Sequence, residues 1–432
     1  MMPASRRRTR PVIAWAFYDV SSSTWAALLP SLFGVYFVQG LASGRADATA
    51  LWGIVAALSF GIAGVLAPFV GAFVDTRGRW LGPLAAATAL CSLATVALAL
   101  AGPAAMALTT ALFVAAQVGY TLAASLYDSL VRCVADASKI GRVSAFGWAS
   151  GLCGGIVAIL AAIAIVRVAP AEAQVARLDE VFLLAGLLYA ALAVPALLGL
   201  RGLARESRKG EPPVAPARGA GTTVWNTLRH WRHHREPFRF LAGYYFINDA
   251  LVTLVVFVAI ILRERFGLTV EGLLWLALLY HAIAAPATLA FGLGADRWGP
   301  RRTTFAMVAI LAAAVVLLAL GTARTTPVAV VALLGLVYGS IQAVSRSWLS
   351  QLATPGKAAE LFGFNAAAGR LSAALGPLAF SAVATATGSD SAAILSLLAF
   401  LAVGVAILST LPARGSIAAP PALLGRSAPH QN

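Results

Sequence analysis

Apolar residues fall into long blocks separated by glycine, proline or charge, and there are twelve such blocks. They lie near 12–38, 50–74, 81–101, 104–128, 142–168, 180–200, 238–262, 272–294, 303–320, 327–351, 361–386 and 391–411. A helix needs roughly 20 mostly apolar residues to cross a bilayer, and each block supplies about that length. The blocks are numbered below as spans 1 to 12. Connections are short except between spans 6 and 7, where 201–237 is polar and rich in Arg, Pro and Gly. The pattern predicts an all-α membrane protein of twelve transmembrane helices in two pseudo-symmetric six-helix bundles. The first bundle covers 1–200, a cytoplasmic linker 201–237, the second bundle 238–411 and a cytoplasmic tail 412–432.

Composition supports this division. Of 432 residues, 60% are hydrophobic and 11% charged, against about 25% charged in soluble domains. A water-soluble enzyme is excluded. The net charge of +15 could suggest nucleic acid, but the basic residues sit in short clusters between apolar blocks, as the positive-inside rule describes. With the N-terminus inside, 26 of the 32 Lys and Arg fall on the cytoplasmic side, leaving only Arg45, Arg167, Arg177, Arg263, Arg265 and Arg324 outside. Both termini are therefore expected in the cytoplasm. The Arg-, Ala- and Gly-rich composition points to a bacterial inner membrane. Ser5-Arg6-Arg7-Arg8 faintly resembles a twin-Arg signal, but the following run is too long and carries Asp19, so span 1 is read as retained. Cys91, Cys133 and Cys153 have neither disulfide-framework nor zinc spacing.

The halves repeat internally. Gly71-Ala72-Phe73-Val74-Asp75 with Arg77-Gly78-Arg79 closes span 2, and Gly292-Leu293-Gly294-Ala295-Asp296 with Gly299 and Arg301-Arg302 closes span 8, 221 residues later. Tyr120 and Tyr338, and Gly151 and Gly369, share an offset of 218; Asp19 and Asp249 share one of 230. Duplicated halves with a site between them are a common transporter design. There is no GxxxxGK[ST] phosphate loop, HExxH or GxSxG, so ATP hydrolysis and recognisable enzyme chemistry are excluded, and no cofactor or metal is expected.

The paired GxxxD loops resemble the loop motif of the major facilitator superfamily, where it acts as a cytoplasmic latch. The latch set here is Gly71, Asp75, Arg77, Gly78, Arg79, Gly292, Asp296, Gly299 and Arg301. Further segments narrow the resemblance: Trp15-Ala16-Phe17-Tyr18-Asp19, Tyr244-Tyr245-Phe246-Ile247-Asn248-Asp249, Gly141 to Ala149, Gln342 to Ser347, and Glu360-Leu361-Phe362-Gly363 leading to Gly369-Arg370 and Gly376-Pro377. Together they resemble the branch containing the autophagy-related vacuolar amino-acid effluxers and their bacterial relatives. Ser21-Ser22-Ser23 and Arg370 depart from that branch, which leaves the substrate open.

Charges inside a bilayer are costly unless paired or wet, which singles out Asp19, Asp249, Arg346 and Arg370. Asn248 and Gln342 lie beside them in sequence motifs. These six are the candidate residues for substrate binding or proton coupling. Two negative and two positive groups suit a zwitterion such as an amino acid, moved by alternating access with proton coupling. A sugar, nucleoside or drug efflux transporter of the same fold is the alternative, and a non-transporting scaffold or receptor is the alternative of another class. Expected partners are a small solute, a proton and the lipid bilayer, with no nucleic acid, and a monomeric state. Gly147, Gly151 and Gly155 read as a close-packing face, and His281 as a packing residue.

Overall fold

The computed structural model describes residues 4–77, 80–130, 134, 140–210, 235–352, 369 and 375–411. The described residues are almost wholly helical. Ten helices are long and apolar enough to cross a membrane, and two shorter apolar helices, Ser150–Val166 and Leu375–Thr387, bring the number to twelve. In a bilayer the backbone must satisfy its own hydrogen bonds, which is why apolar blocks become helices.

Span 1 is broken. Helix Ala4–Ala26 stops, Leu29–Tyr36 restarts with Pro30 in its first turn, and a π-helical turn Phe37–Leu41 ends it. Proline has no N–H to continue the ladder and clashes with the preceding turn, so the break falls where the sequence places Pro30. Span 2 is Ala48–Arg77, span 3 Leu81–Ala101, span 4 Met106–Ser129, span 5 Ile140–Val166 and span 6 Leu178–Gly210. In the second half, span 7 is Arg235–Phe266, span 8 Val270–Trp298, span 9 Pro300–Leu320, span 10 Thr326–Leu352, span 11 Leu375–Thr387 and span 12 Asp390–Ser409. Span 6 runs ten residues past the apolar block and span 7 begins at Arg235, so the helices reach into the linker from both sides. Arg and Lys have good helix propensity, and nothing in Arg201–Gly210 stops the helix.

Packing repeats between the halves. Spans 3 and 4, 2 and 4, 1 and 6, and 3 and 6 pack together in the first half; spans 9 and 10, 8 and 10, 7 and 12, and 9 and 12 do so in the second. Each pairing is the other shifted by six spans. The outward faces carry exposed Leu90, Leu93 and Leu100 on span 3 and Leu289 and Leu293 on span 8, surfaces matched to lipid rather than water.

An even number of spans puts both chain ends on one side, called here the terminal side; the other is the distal side. On the distal side the two halves meet. Trp52 Nε1 on span 2 donates to the Val256 carbonyl on span 7 at 3.3 Å. Arg263 at the end of span 7 reaches Gln39 at the end of span 1, and also donates to the Leu268 carbonyl. The Glu271 N–H on span 8 donates to Gln174 before span 6 at 3.1 Å. Closer to mid-depth, a Cβ at Gly53 of span 2 would collide with Ser381 Oγ and come within 2.8 Å of the Pro377 carbonyl of span 11. On the terminal side, Trp15 stacks on Tyr127 in the first half, while Phe240 packs edge-on against Trp348 in the second. The Arg45–Asp47 pair in the first distal loop is exposed to water. The Arg45 guanidinium holds the Asp47 carboxyl below the usual range, a screened contact of small worth.

Candidate functional site between the halves

Span 7 places Asp249 near mid-depth, seventeen residues before its distal end at Phe266, or about 25 Å along a helix axis. Asp249 is fully buried. Its Oδ1 accepts the Gly376 N–H of span 11 at 2.9 Å, and its Oδ2 has no hydrogen-bond partner. One turn on, Thr253 is also fully buried and its Oγ1 has no partner. Residues four apart share a helix face, so both oxygens look toward the same stretch of span 11. A Cβ at Gly376 would run into Thr253 Oγ1 and come within 2.6 Å of Asp249 Oδ1. Glycine is needed there because two helices touch, not because of its backbone angles.

The first half contains the same unit. Asp19 and Ser23 lie four apart on span 1 and face Gly151 of span 5. A Cβ at Gly151 would come within 2.7 Å of Ser23 Oγ and 3.3 Å of Asp19 Oδ2. An acid, a hydroxyl one turn later and a facing glycine therefore occur on the first and fifth spans of each half. The structural partner of Asp249 is Gly376, not Gly369, whose offset matched Gly151. Gly369 instead presents its carbonyl to Asn248 Nδ2 at 3.4 Å. Consecutive residues Asn248 and Asp249 thus reach Gly369 and Gly376, one each.

Span 5 carries a second contact one turn beyond Gly151. His281 Nε2 of span 8 would lie 3.2 Å from a Cβ at Gly155, with Ala27 of span 1 beside it. His281 Nδ1 bonds the Ala277 carbonyl at 2.7 Å. A ring whose Nδ1 donates there keeps Nε2 as an acceptor toward the seam. The glycine face of span 5 is therefore a packing face, as expected, but what it packs against includes polar groups of both halves. Gln342 lies one turn from Tyr338 on span 10, and Tyr338 meets Tyr280 edge-on at 5.9 Å. Across the first half, Tyr120 stacks on Trp25 at 4.6 Å. The walls at mid-depth are aromatic and polar.

Of the six residues expected to bind substrate or a proton, Asn248 and Asp249 are brought together against span 11. Asp19 stands in the matching place of the first half, and Gln342 lies on span 10. The Arg346 side chain and Arg370 lie outside the described residues. So do Gly78 and Arg79 of the latch and the side chains of Asp75, Arg77 and Asp296, while Gly71 and Gly292 lie within spans 2 and 8. Gly299 joins spans 8 and 9 with φ +85°, a conformation glycine adopts freely. Arg301 donates to the carbonyls of Leu411 (2.7 Å) and Ser409 (2.9 Å). It thereby satisfies backbone acceptors at the end of span 12, inside its own half.

Sequence reasoning overlooked Ser23, Thr253 and Gly376, although the matched Asp-x-x-x-Ser/Thr spacing on spans 1 and 7 was readable. His281 and Gly155 carried no signal that the two face each other. Among the described residues, no cluster of three or more His, Cys, Asp or Glu could hold a metal. A groove of about 480 Å³ lies elsewhere, between span 2 and Leu378 of span 11. Ile54, Ala57, Leu58, Gly61, Ile62, Val65 and Leu66 complete its wholly apolar lining. It offers nothing to a polar solute.

Two six-helix halves repeating one packing pattern, with a matched acid–hydroxyl–glycine unit in each, define a transporter of the major facilitator superfamily. Solved structures agree on the fold. The nucleoside transporter NupG (D323A mutant) superposes with a TM-score of 0.70 at 14% identity, covering 93% of this chain and 99% of that one. A D-xylose–proton symporter gives 0.66 at 14% identity, over 93% and 96%. The uncharacterized MFS-type transporter YxiO of Bacillus subtilis (strain 168) is 24% identical over 419 residues, 94% of this chain and 96% of that one. The family model described as "Vacuole effluxer Atg22 like" matches residues 34–419, and the chain belongs to that family.

Proposed function

We propose that this transporter moves a small polar solute, amino acids first among the candidates, by alternating access coupled to protons. The observation that carries this reading is the repeated acid–hydroxyl–glycine unit at mid-depth in both halves, beside a seam whose described contacts gather on the distal side. A cavity between such halves opens toward the terminal side, and the charge count assigns that side to the cytoplasm of a bacterial cell. Asp19 faces the cavity from the first half and Asp249 exchanges the proton in the second. Arg346 and Arg370 supply the positive charge for a carboxylate, since a guanidinium fork suits that geometry. Asp75 and Asp296 close the terminal side as latches.

The deciding experiment is a thermal-shift screen of the purified protein against amino acids, sugars and nucleosides, followed by counterflow of any hit in proteoliposomes. Stabilisation by an amino acid, lost in Asp19→Asn, supports the reading. Stabilisation by sugars or nucleosides alone replaces the substrate class, and a protein that binds solute without exchanging it is a receptor. Cysteines at Ser5 and Ser207 should resist impermeant thiol reagents in intact cells; labelling at both reverses the orientation.

A further inference from the structure

We propose that Thr253 is the partner of a proton carried on Asp249, with one hydrogen bond from the carboxyl to the Thr253 hydroxyl inside a site closed by Gly376. This deepens the reading of Asp249 as the coupling acid and rests on it for its role in transport. The argument starts from two orphans. Asp249 Oδ2 and Thr253 Oγ1 are both fully buried, both without a hydrogen-bond partner, and one helical turn apart on one face of span 7. A buried polar atom left unpaired is costly, and a buried carboxylate with a single hydrogen bond more so. The Thr253 hydroxyl could donate to an ionised Oδ2, but the charge would stay buried. A proton on Oδ2 removes that charge and donates in turn to the Thr253 oxygen, leaving both atoms paired.

The surroundings favour this answer. Oδ1 already accepts from the Gly376 N–H, which fixes the carboxyl plane and leaves Oδ2 as the oxygen without a bond. Among the described residues, Tyr245, one turn earlier on span 7, is the titratable group that feels a charge on Asp249. From span 11 the described contact is the Gly376 backbone, and Arg370 lies outside the described residues. Beyond Thr253, Phe257 stacks on Phe380 of span 11 at 4.0 Å, sealing the site toward the distal side. Water reaches the carboxyl only when span 11 moves off span 7. Proton exchange is then tied to helix position, which a coupling device requires. The first-half copy differs: Asp19 is only half-buried and keeps some exposure that Asp249 lacks.

The test is infrared spectroscopy of the purified full-length protein in lipid nanodiscs, with deuterium exchange. A protonated-carboxyl band that disappears in Asp249→Asn is expected. It should shift to higher frequency in Thr253→Val, hold its place in Thr253→Ser, and exchange slowly with deuterium. A wild-type spectrum without an Asp249-dependent band overturns the proposal, as does a Thr253→Val band that has not moved. Should Asp249→Asn fail to fold, the valine and serine variants decide the matter alone. The measurement needs no solute, so a failed solute screen and a failed proton site are separate outcomes.

Discussion

The two halves place the same three chemical groups in the same positions and seal them differently. In the second half, acid and hydroxyl are fully buried and span 11 sits hard against them; in the first half, Asp19 and Ser23 are only partly covered by span 5. The glycines measure the difference. The missing Cβ at Gly376 leaves space that Thr253 already occupies, whereas Gly151 leaves a looser contact of 2.7 to 3.3 Å. Duplication conserved the parts, and packing left one unit dry and the other partly exposed.

Substituting the glycines is the most forceful way to break this comparison. Gly376→Ala drives a methyl group into Thr253 and Asp249 and should destabilise the protein by about 3 kcal/mol, the upper part of the overpacking range. Gly151→Ala should cost about 1 kcal/mol, because Ser23 can turn away. Thermal melts in detergent compare the two, and equal losses would erase the distinction. The acids should differ next. Asp249→Ala leaves the Gly376 N–H without its partner and should cost about 2 kcal/mol. Asp19→Ala should change stability by less than about 0.5 kcal/mol while abolishing the solute-dependent shift in melting.

A smaller effect sharpens the contrast between closed and open ends. Trp52→Phe removes the hydrogen bond to the Val256 carbonyl, a contact between halves worth about 1 kcal/mol. The distal-closed population should fall about fivefold relative to the open one, read from distances between spin labels on the distal ends of spans 1 and 7. An unchanged distribution would show that apolar packing around Gly34 and Ile260 holds that end shut unaided. The smallest effect belongs to Arg301→Ala. Its two hydrogen bonds to the end of span 12 lie partly in water, so about 0.5 kcal/mol is expected, with the loss confined to the second half. A larger change in transport than in melting would point to a latch role beyond that capping.

Twelve spans, their order, the two halves and the matching acids were all determined by the sequence. The physical reason is the bilayer: a chain that must bond its own backbone in hydrocarbon has to become a helix wherever it is apolar for about 20 residues, so hydropathy alone places each span. The break at Pro30 and the glycine turn at Gly299 follow from local backbone chemistry, although span 1 read as one unbroken block and Gly299 as a latch residue. Tertiary structure alone decided how each helix is turned about its axis. Counting offsets paired Gly369 with Gly151, yet the helices bring Gly376 opposite the acid and give Gly369 to Asn248. His281 packs as expected, but only span 8 set its Nε2 beside Gly155, and only span 9 set Arg301 on the carbonyls of span 12. Rotation about a helix axis is settled by contacts between distant segments, and hydropathy, which every lipid-compatible face satisfies equally, carries no record of it.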